Sequence, residues 1–477
     1  MLHKFERNNL IIALDTESGG VHVLNRLTSD IIDLFHDTET EDITASFADK
    51  AYKEELSCDV AAALVSLCDK KGYSRSQVNE AYSELCELYK ENALYSKPIV
   101  LQSKQDTIPV KALCLHIAHD CNMRCRYCFA STGDFGRSRS VMTTEVGKKA
   151  IDFLIARSGK IRNLEVDFFG GEPLLALDVV KSIVEYARGL EKQHGKCFRF
   201  TITTNGTLLD DDTISYINNE MSNVVLSIDG RKDINDKTRY FEDGSGCYDM
   251  IMPAYKKLVA QRKELGKYTD YYVRGTFTKQ NLDFSNDVMH LADQGFDQIS
   301  VEPVVTKDPY LALTEKELDT IYAEYDNLCD KIIQSRKEGK WFNFFHFMAD
   351  LDEGPCVYKR TKGCGSGSEY LAITPTGDIY PCHQFVEHEQ FKLGSVLDNT
   401  LNDSIRLEFK QCNIGNGTLK KCADCWDKYF CGGGCAANNF KYTGKISEPY
   451  EMGCKLQKKR TECTLYIKCV EALNQQP

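Results

Sequence analysis

The sequence predicts an α/β protein built on an open, partial, TIM-like (β/α)6 barrel, flanked by a small N-terminal module and a cysteine-rich C-terminal region. Three observations carry this. Between about residues 108 and 310, short β-branched and aromatic runs alternate with amphipathic helical stretches. Before that span, two short apolar runs and three helical stretches fall within about the first 95 residues. After about residue 340, cysteine spacing rather than hydrophobic period organises the chain, with eleven of the 21 cysteines there. A chain of 477 residues has room for such parts, at roughly 100–200 residues per domain.

Each element follows from local pattern. "LIIAL" (10–14) and "VHVL" (21–24) flank a Glu-Ser-Gly-Gly turn and read as a hairpin. "TSDIIDLF" follows, with Thr28 or Ser29 placed to cap a helix. "DVAAALVSLCDKKG" and "SRSQVNEAYSELCELYKEN" add two helices, and the set suggests a winged-helix module over residues 1–95. In the central span, strands are expected at 113–118, 164–169, 198–204, 223–228, 271–278 and 298–303. Amphipathic segments such as "TTEVGKKAIDFLIARSG" and "LDVVKSIVEYARGLEKQ" fill the gaps, which implies right-handed crossovers and a parallel sheet. Six repeats fall short of a closed eight-stranded barrel. Functional residues then belong at the C-terminal strand ends, where the loops gather. The third region, 340–477, is glycine-rich, lacks long periodic segments, and is expected to be stapled by metal ligands.

A formal net charge of -11 argues against a nucleic-acid partner, which needs clustered positive charge. "QKKR" (457–460) reads as a solvated helix face. The opening "MLHKFERNNL" lacks the apolar core of a signal peptide, and no apolar run reaches membrane-spanning length. A cytoplasmic protein with no membrane partner is expected. In that reducing compartment, 21 cysteines, an odd number, point to metal or redox chemistry rather than disulfides.

The first strand runs into "HIAHDCNMRCRYCFASTG", which holds Cys121, Cys125 and Cys128 as C-x3-C-x2-C. Thiolates are the natural ligands of iron–sulfur clusters. Three of them leave a four-ligand set one short, and a zinc knuckle completed by His116 or His119 is the plain alternative. "FFGGEPLL" puts Gly170, Gly171, Glu172 and Pro173 at the same sheet end, where glycines permit close backbone approach and a carboxylate accepts from an ammonium group. "TTNGT" and "SIDG" end the third and fourth strands. Downstream, "CADCWDKYFCGGGC" spaces Cys422, Cys425, Cys431 and Cys435 as C-x2-C-x5-C-x3-C, with Cys454 beyond. Cys364 and Cys382 form C-x12-G-x4-C around Gly377. A structural zinc ribbon is the alternative there.

The three-cysteine run resembles the signature of the radical S-adenosylmethionine (SAM) enzymes. That resemblance implies that Cys121, Cys125 and Cys128 hold a [4Fe-4S] cluster whose fourth iron takes the amino and carboxylate groups of SAM, and that SAM cleavage yields a 5′-deoxyadenosyl radical. It implies that Gly170, Gly171, Glu172 and Pro173 meet the methionine amino group and that Thr204, Asn205 and Ser227 line the SAM site. Arg239 would hold the SAM carboxylate, or else form a surface salt bridge. The C-terminal spacing resembles the SPASM extension with two auxiliary [4Fe-4S] clusters. Carried over, Cys422, Cys425, Cys431 and Cys454 ligate the outer cluster, and Cys364, Cys382 and Cys435 the inner one. Cys356 is the candidate fourth inner ligand; without it, that cluster has an open site for a substrate thiolate.

The order of parts, and the phrase "ALCLHIAHDCNMRCRYCFASTGDFG", most resemble the maturases of SCIFF peptides. This implies a leader peptide captured by the N-terminal module as an added strand. It implies thioether (sactipeptide-type) cross-links between cysteine thiols and acceptor carbons of a ribosomally made precursor. A reduced flavodoxin- or ferredoxin-type protein would donate electrons. The alternatives are a sulfatase-maturating type that oxidises Ser or Cys, and a non-catalytic zinc-stapled binding protein. No catalytic acid or base stands out. The ten remaining cysteines read mostly as small buried residues, and His346, His383 and His388 as core or solvated histidines.

Overall fold

All six strands expected in the central span form, and they are consecutive neighbours in one sheet. The computed structural model describes residues 1–36, 58–98, 108–349, 351, 361, 363–415 and 417–475.

The N-terminal module is a three-stranded antiparallel meander, β1 (Leu2–Arg7), β2 (Leu10–Asp15) and β3 (Val21–Leu24), where the sequence suggested two strands. The missed signal is Asn8-Asn9, both at positive φ (48° and 62°), the residue type and backbone state of a tight two-residue hairpin turn. Helices α1 (Arg26–His36), α2 (Cys58–Lys71) and α3 (Arg75–Lys90) follow. Thr28 and Ser29 do not cap α1; both lie inside it, and the Asn25 side chain accepts from the Thr28 amide at 2.8 Å instead. Ser74 caps α3 in a capping box with Gln77.

The large sheet contains β4 (Ala112–His119), the short β5 (Ser140–Val141), β6 (Asn163–Gly170), β7 (Cys197–Thr204), β8 (Asn223–Ser227), β9 (Tyr271–Phe277) and β10 (Gln298–Pro303). Strands β4 and β6 to β10 are parallel in chain order. The crossovers hold α4 (Thr144–Arg157), α5 (Leu177–His194), α6 (Asp211–Glu220), α7 (Lys232–Thr238), α8 (Tyr248–Glu264) and α9 (Phe284–Asp293). α10 (Leu318–Lys337) comes after β10. Alternation along the strands sorts their faces. Leu164, Val166, Phe168, Phe198, Phe200, Ile202, Val224 and Leu226 are fully buried in the main core. Asp167, Phe169, Thr201 and Ser227, on the opposite face, are only partly buried.

The sheet is open at both ends. β11 (Asn343–Phe344) extends it beyond β10. On the other side β12 (Tyr370–Ile373) pairs parallel to β4, and β13 (Asp378–Tyr380), β14 (Gly394–Ser395) and β15 (Thr400–Leu401) continue antiparallel. The C-terminal region therefore pairs onto the sheet through β4. Short helices α11 (Asp403–Gln411), α12 (Lys420–Ala423), α13 (Lys428–Cys431) and α14 (Ala436–Thr443) precede the 25-residue α15 (Glu451–Gln475). This long helix corrects the expectation of none after residue 340. Cysteines and charged residues stand where aliphatic ones usually do, so its sequence shows little hydrophobic period. It packs along α10. Nor is "QKKR" a simple solvated face: Lys459 donates to Asp326 at 2.7 Å and Arg460 bonds His346 at 2.9 Å. Among the described residues no helix is long and apolar enough to cross a membrane.

The N-terminal module sits on this C-terminal region. The His3 ring stacks on Trp426 with centroids 3.6 Å apart and planes 2° from parallel. Arg7 pairs with Asp330 at 2.9 Å, and Glu17 is buried against Lys428 at 2.6 Å and the Tyr429 hydroxyl at 2.8 Å.

Candidate metal and cofactor centre

The loop after β4 places Cys121, Cys125 and Cys128 at the C-terminal end of the parallel strands, and the three thiols are mutual neighbours. Burial pushes Cys121 up to about 11 and Cys125 to about 12. Apolar anchors fix the loop: Met123, Ala130 and Phe135 are buried. His116 and His119 do not turn to the thiols. They bond each other at 3.0 Å and pack at a tilt against Phe135, an arrangement that does not favour the alternative of a zinc knuckle completed by either.

Gly170 and Gly171 serve the loop's own backbone. A Cβ on Gly171 would lie 2.1 Å from the Asp120 carbonyl oxygen, and one on Gly170, at φ 126°, 2.3 Å from that of Ala118. Gly133, not singled out in the sequence, packs the same way, with a Cβ there meeting Cys121 Cβ at 2.5 Å. Gly171→Ala is therefore expected to displace the base of the cysteine loop and lower SAM cleavage by roughly tenfold or more, with iron in the C-terminal cysteine sets unchanged. Cleavage at the wild-type rate would show that the close approach is dispensable.

Glu172 is buried and its carboxylate accepts three bonds: Leu174 N at 3.0 Å, Thr204 Oγ1 at 2.8 Å and Asn205 N at 2.7 Å. Burial nevertheless raises it to about 7. It caps the turn Pro173–Ala176, where Pro173 takes the first helical position. Thr204 spends its hydroxyl on Glu172 and the Gly206 amide. Asn205 reaches the cluster loop itself, donating from Nδ2 to Asn122 at 2.9 Å and towards Cys121 Sγ at 3.6 Å. Ser227 stands half-buried at the end of β8, where its carbonyl accepts from Tyr255 at 3.1 Å.

Arg239 is no surface salt bridge. It is 6% exposed, its Nη1 meets the Tyr127 hydroxyl at 3.0 Å, and its Nε is buried with no hydrogen-bond partner. Tyr127 donates to Asp229, which also accepts from Thr238 at 2.7 Å and Thr276 N at 2.9 Å. This Tyr127–Asp229–Arg239 network was missed, although "CRYC" and "SIDG" both contain its members. It leaves one orphaned cationic donor beside Cys125, and a cation near thiols favours their ligating thiolate form.

The C-terminal cysteines separate into the two expected sets. Cys422, Cys425, Cys431 and Cys454 are neighbours of one another, with Cys412 also beside Cys422. Cys364, Cys382 and Cys435 form the second group. Gly432, Gly433 and Gly434 explain the interleaving. All three have positive φ, which lets the chain reverse between Cys431 and Cys435 so that each faces a different set. Cys356 lies outside the described residues. Among the described residues no three His, Cys, Asp or Glu side chains converge tightly enough for a single metal ion; the thiols stand in three looser groups. Their chemistry fits iron–sulfur clusters, and the orphaned Arg239 donor fits an anionic group bound over the first. His383, next to Cys382, packs at a tilt against both Phe129 and Phe169 with its Nδ1 unpartnered, joining the first cysteine loop to the inner set. His346 is bonded to Arg460.

Comparison with known proteins agrees with this geometry. A family described as a 4Fe-4S single cluster domain matches residues 111–249, and the SPASM iron–sulfur cluster-binding domain matches residues 364–426. A cysteine-type anaerobic sulfatase-maturating enzyme of Clostridium novyi is 24% identical over 335 residues, covering 67% of this chain and 86% of the relative. A serine-type one of Bacteroides thetaiotaomicron is 27% identical over 393 residues, covering 76% and 88%. The solved structure of native anSMEcpe with bound AdoMet superposes with a TM-score of 0.62 at 20% identity, covering 77% of this chain and all of that one. Residues 111–249 and 364–426 thus match iron–sulfur cluster-binding domains, and the chain is similar to radical SAM enzymes that carry a SPASM domain.

Proposed function

We propose that this enzyme is a peptide maturase that forms intramolecular thioether cross-links between cysteine thiols and acceptor carbons of a ribosomally made, cysteine-rich precursor. The observation that carries this reading is the N-terminal meander docked on the SPASM region. Among the described residues its edge strand β3 pairs on one side alone, with β2, and Val23 is exposed. An open edge takes an extended peptide through backbone hydrogen bonds. Peptide binding by a protein of similar fold supports it, since anSMEcpe has been solved with bound AdoMet and a Kp18Cys peptide.

When bound, SAM and its cluster would supply hydrogen-abstracting radical chemistry, and clusters held by the C-terminal cysteines would supply redox capacity. The chain's own residues do the rest. Asn205 and Asn122 brace the cysteine loop, Arg239 offers a buried cation, and Glu172 ties the ends of β6 and β7 together. Cys364, Cys382 and Cys435 form the inner set, and Phe129, Phe169 and His383 wall the space between it and the first loop. A substrate thiolate would be held at this inner set.

The 1–95 module as leader reader, the 108–310 barrel and the 340–477 cluster region are parts of the same proposal, as is a flavodoxin- or ferredoxin-type electron donor. The test is a matched pair of substrates. A full precursor is expected to be cross-linked and to protect the amides of Val21–Leu24 from hydrogen exchange. The leaderless core peptide is expected to lose about tenfold or more in kcat/KM. Equal rates with and without leader would favour the second reading, oxidation of a Ser or Cys side chain, which the two sulfatase-maturating relatives support. Metal analysis separates both from the zinc-stapled alternative: about twelve irons per chain, with matching sulfide, are expected for three clusters.

A further inference from the structure

Two cysteines outside all three cluster sets meet where the barrel joins the C-terminal region. Cys329 lies on α10 and Cys463 on α15, both buried and both free. Cys329 Sγ stands 3.9 Å from the Cys463 carbonyl oxygen, and the two thiols are within hydrogen-bonding reach of each other. A third element closes the site. Arg7 of β1 lies against Cys329 while pairing with Asp326 and Asp330, and Cys463 Sγ is 3.9 Å from Asp326.

We propose that Cys329 and Cys463 are a redox-active dithiol that a low-molecular-weight disulfide converts into an intramolecular disulfide, clasping α15 to α10. The Cys329 thiolate attacks the oxidant, forming a mixed disulfide and releasing one thiol. Cys463 loses its proton and displaces the second thiol as the S–S bond forms, so the dithiol is oxidised by two electrons and the oxidant reduced by two. The chain order gives the bond its purpose. Every cysteine assigned to the auxiliary clusters lies between residues 329 and 463. Closing that long loop restrains the region when its metal staples are lost, because a cross-link around a longer loop removes more unfolded-state freedom. The site is independent of which bond the enzyme makes.

Anaerobic, cluster-loaded protein is incubated with oxidised glutathione, quenched in acid, denatured, alkylated and peptide-mapped. The expected product is a Cys329–Cys463 cross-link in most chains, reversed by dithiothreitol. After iron is stripped by a chelator, oxidised protein should be cleaved in α15 about tenfold more slowly than reduced protein. Cys329→Ser and Cys463→Ser should each abolish both effects while SAM cleavage by the loaded enzyme stays at its starting level. Glutathione adducts without the cross-link, a cross-link formed only in denaturant, no reaction, or equal cleavage rates would overturn the proposal. The mapping of unmodified protein decides the matter even where a variant fails to fold.

Discussion

Cys125→Ala is expected to remove about four of about twelve irons per chain and to abolish formation of 5′-deoxyadenosine from SAM. The loop keeps its place without that thiol, because Met123, Ala130 and Phe135 anchor it and Gly133 and Gly171 pack on its backbone. The C-terminal sets share no residue with it, so their iron should remain. Iron and sulfide analysis with a SAM-cleavage assay decides the point. Full iron content, or continued cleavage, would mean that the first loop is not the SAM-binding centre. Loss of all iron would mean that the three sets do not assemble independently.

Glu17→Ala is expected to release the N-terminal module from the C-terminal region. The Glu17 and Lys428 side chains are 3% and 9% exposed, and Tyr429 also donates to Glu17. Removing one partner of a buried ion pair costs about 3–5 kcal/mol, because the other charge is left without compensation. At 1.36 kcal/mol per tenfold, that moves the docking equilibrium by roughly two to four powers of ten. Hydrogen exchange in β1 to β3 should accelerate, and the stacking of His3 on Trp426 should be lost. Replacing both residues by apolar ones of similar size should restore docking, because the desolvation cost disappears with the charges. Unchanged exchange in Glu17→Ala would show that the remaining contacts, from His3, Arg7, Asn8 and Thr16, suffice to hold the module. The clamped residues, Trp426, Lys428 and Tyr429, lie between Cys425 and Cys431, so the module seats on the loop between two cysteines of the outer set.

Much of this was legible because it depends on neighbours in sequence. Strand–helix alternation placed all six central strands, and the family resemblance carried by the cysteine spacing groups ten cysteines into three sets whose members are neighbours in the structure. Asn8-Asn9 and Asn25 carry local signals too, for a turn and a cap. The rest depended on residues far apart. Arg239 looked as much like surface charge as a site residue, because nothing within "NDKTRY" shows Tyr127 and Asp229 closing over it. The glycines of "GGEP" suggested room for a ligand, whereas the close approach is to the backbone of Asp120 and Ala118.

Local pattern alone located the six central strands and the end of the sheet where the three-cysteine loop lies. Ligand spacing and hydrophobic period are properties of short segments, and a short segment carries them whatever surrounds it. Tertiary structure alone decided that β12 joins β4, that Glu17 meets Lys428, and that Cys329 meets Cys463. Those contacts join residues far apart in the chain, and burial in a shared core, not local pattern, sets their partners.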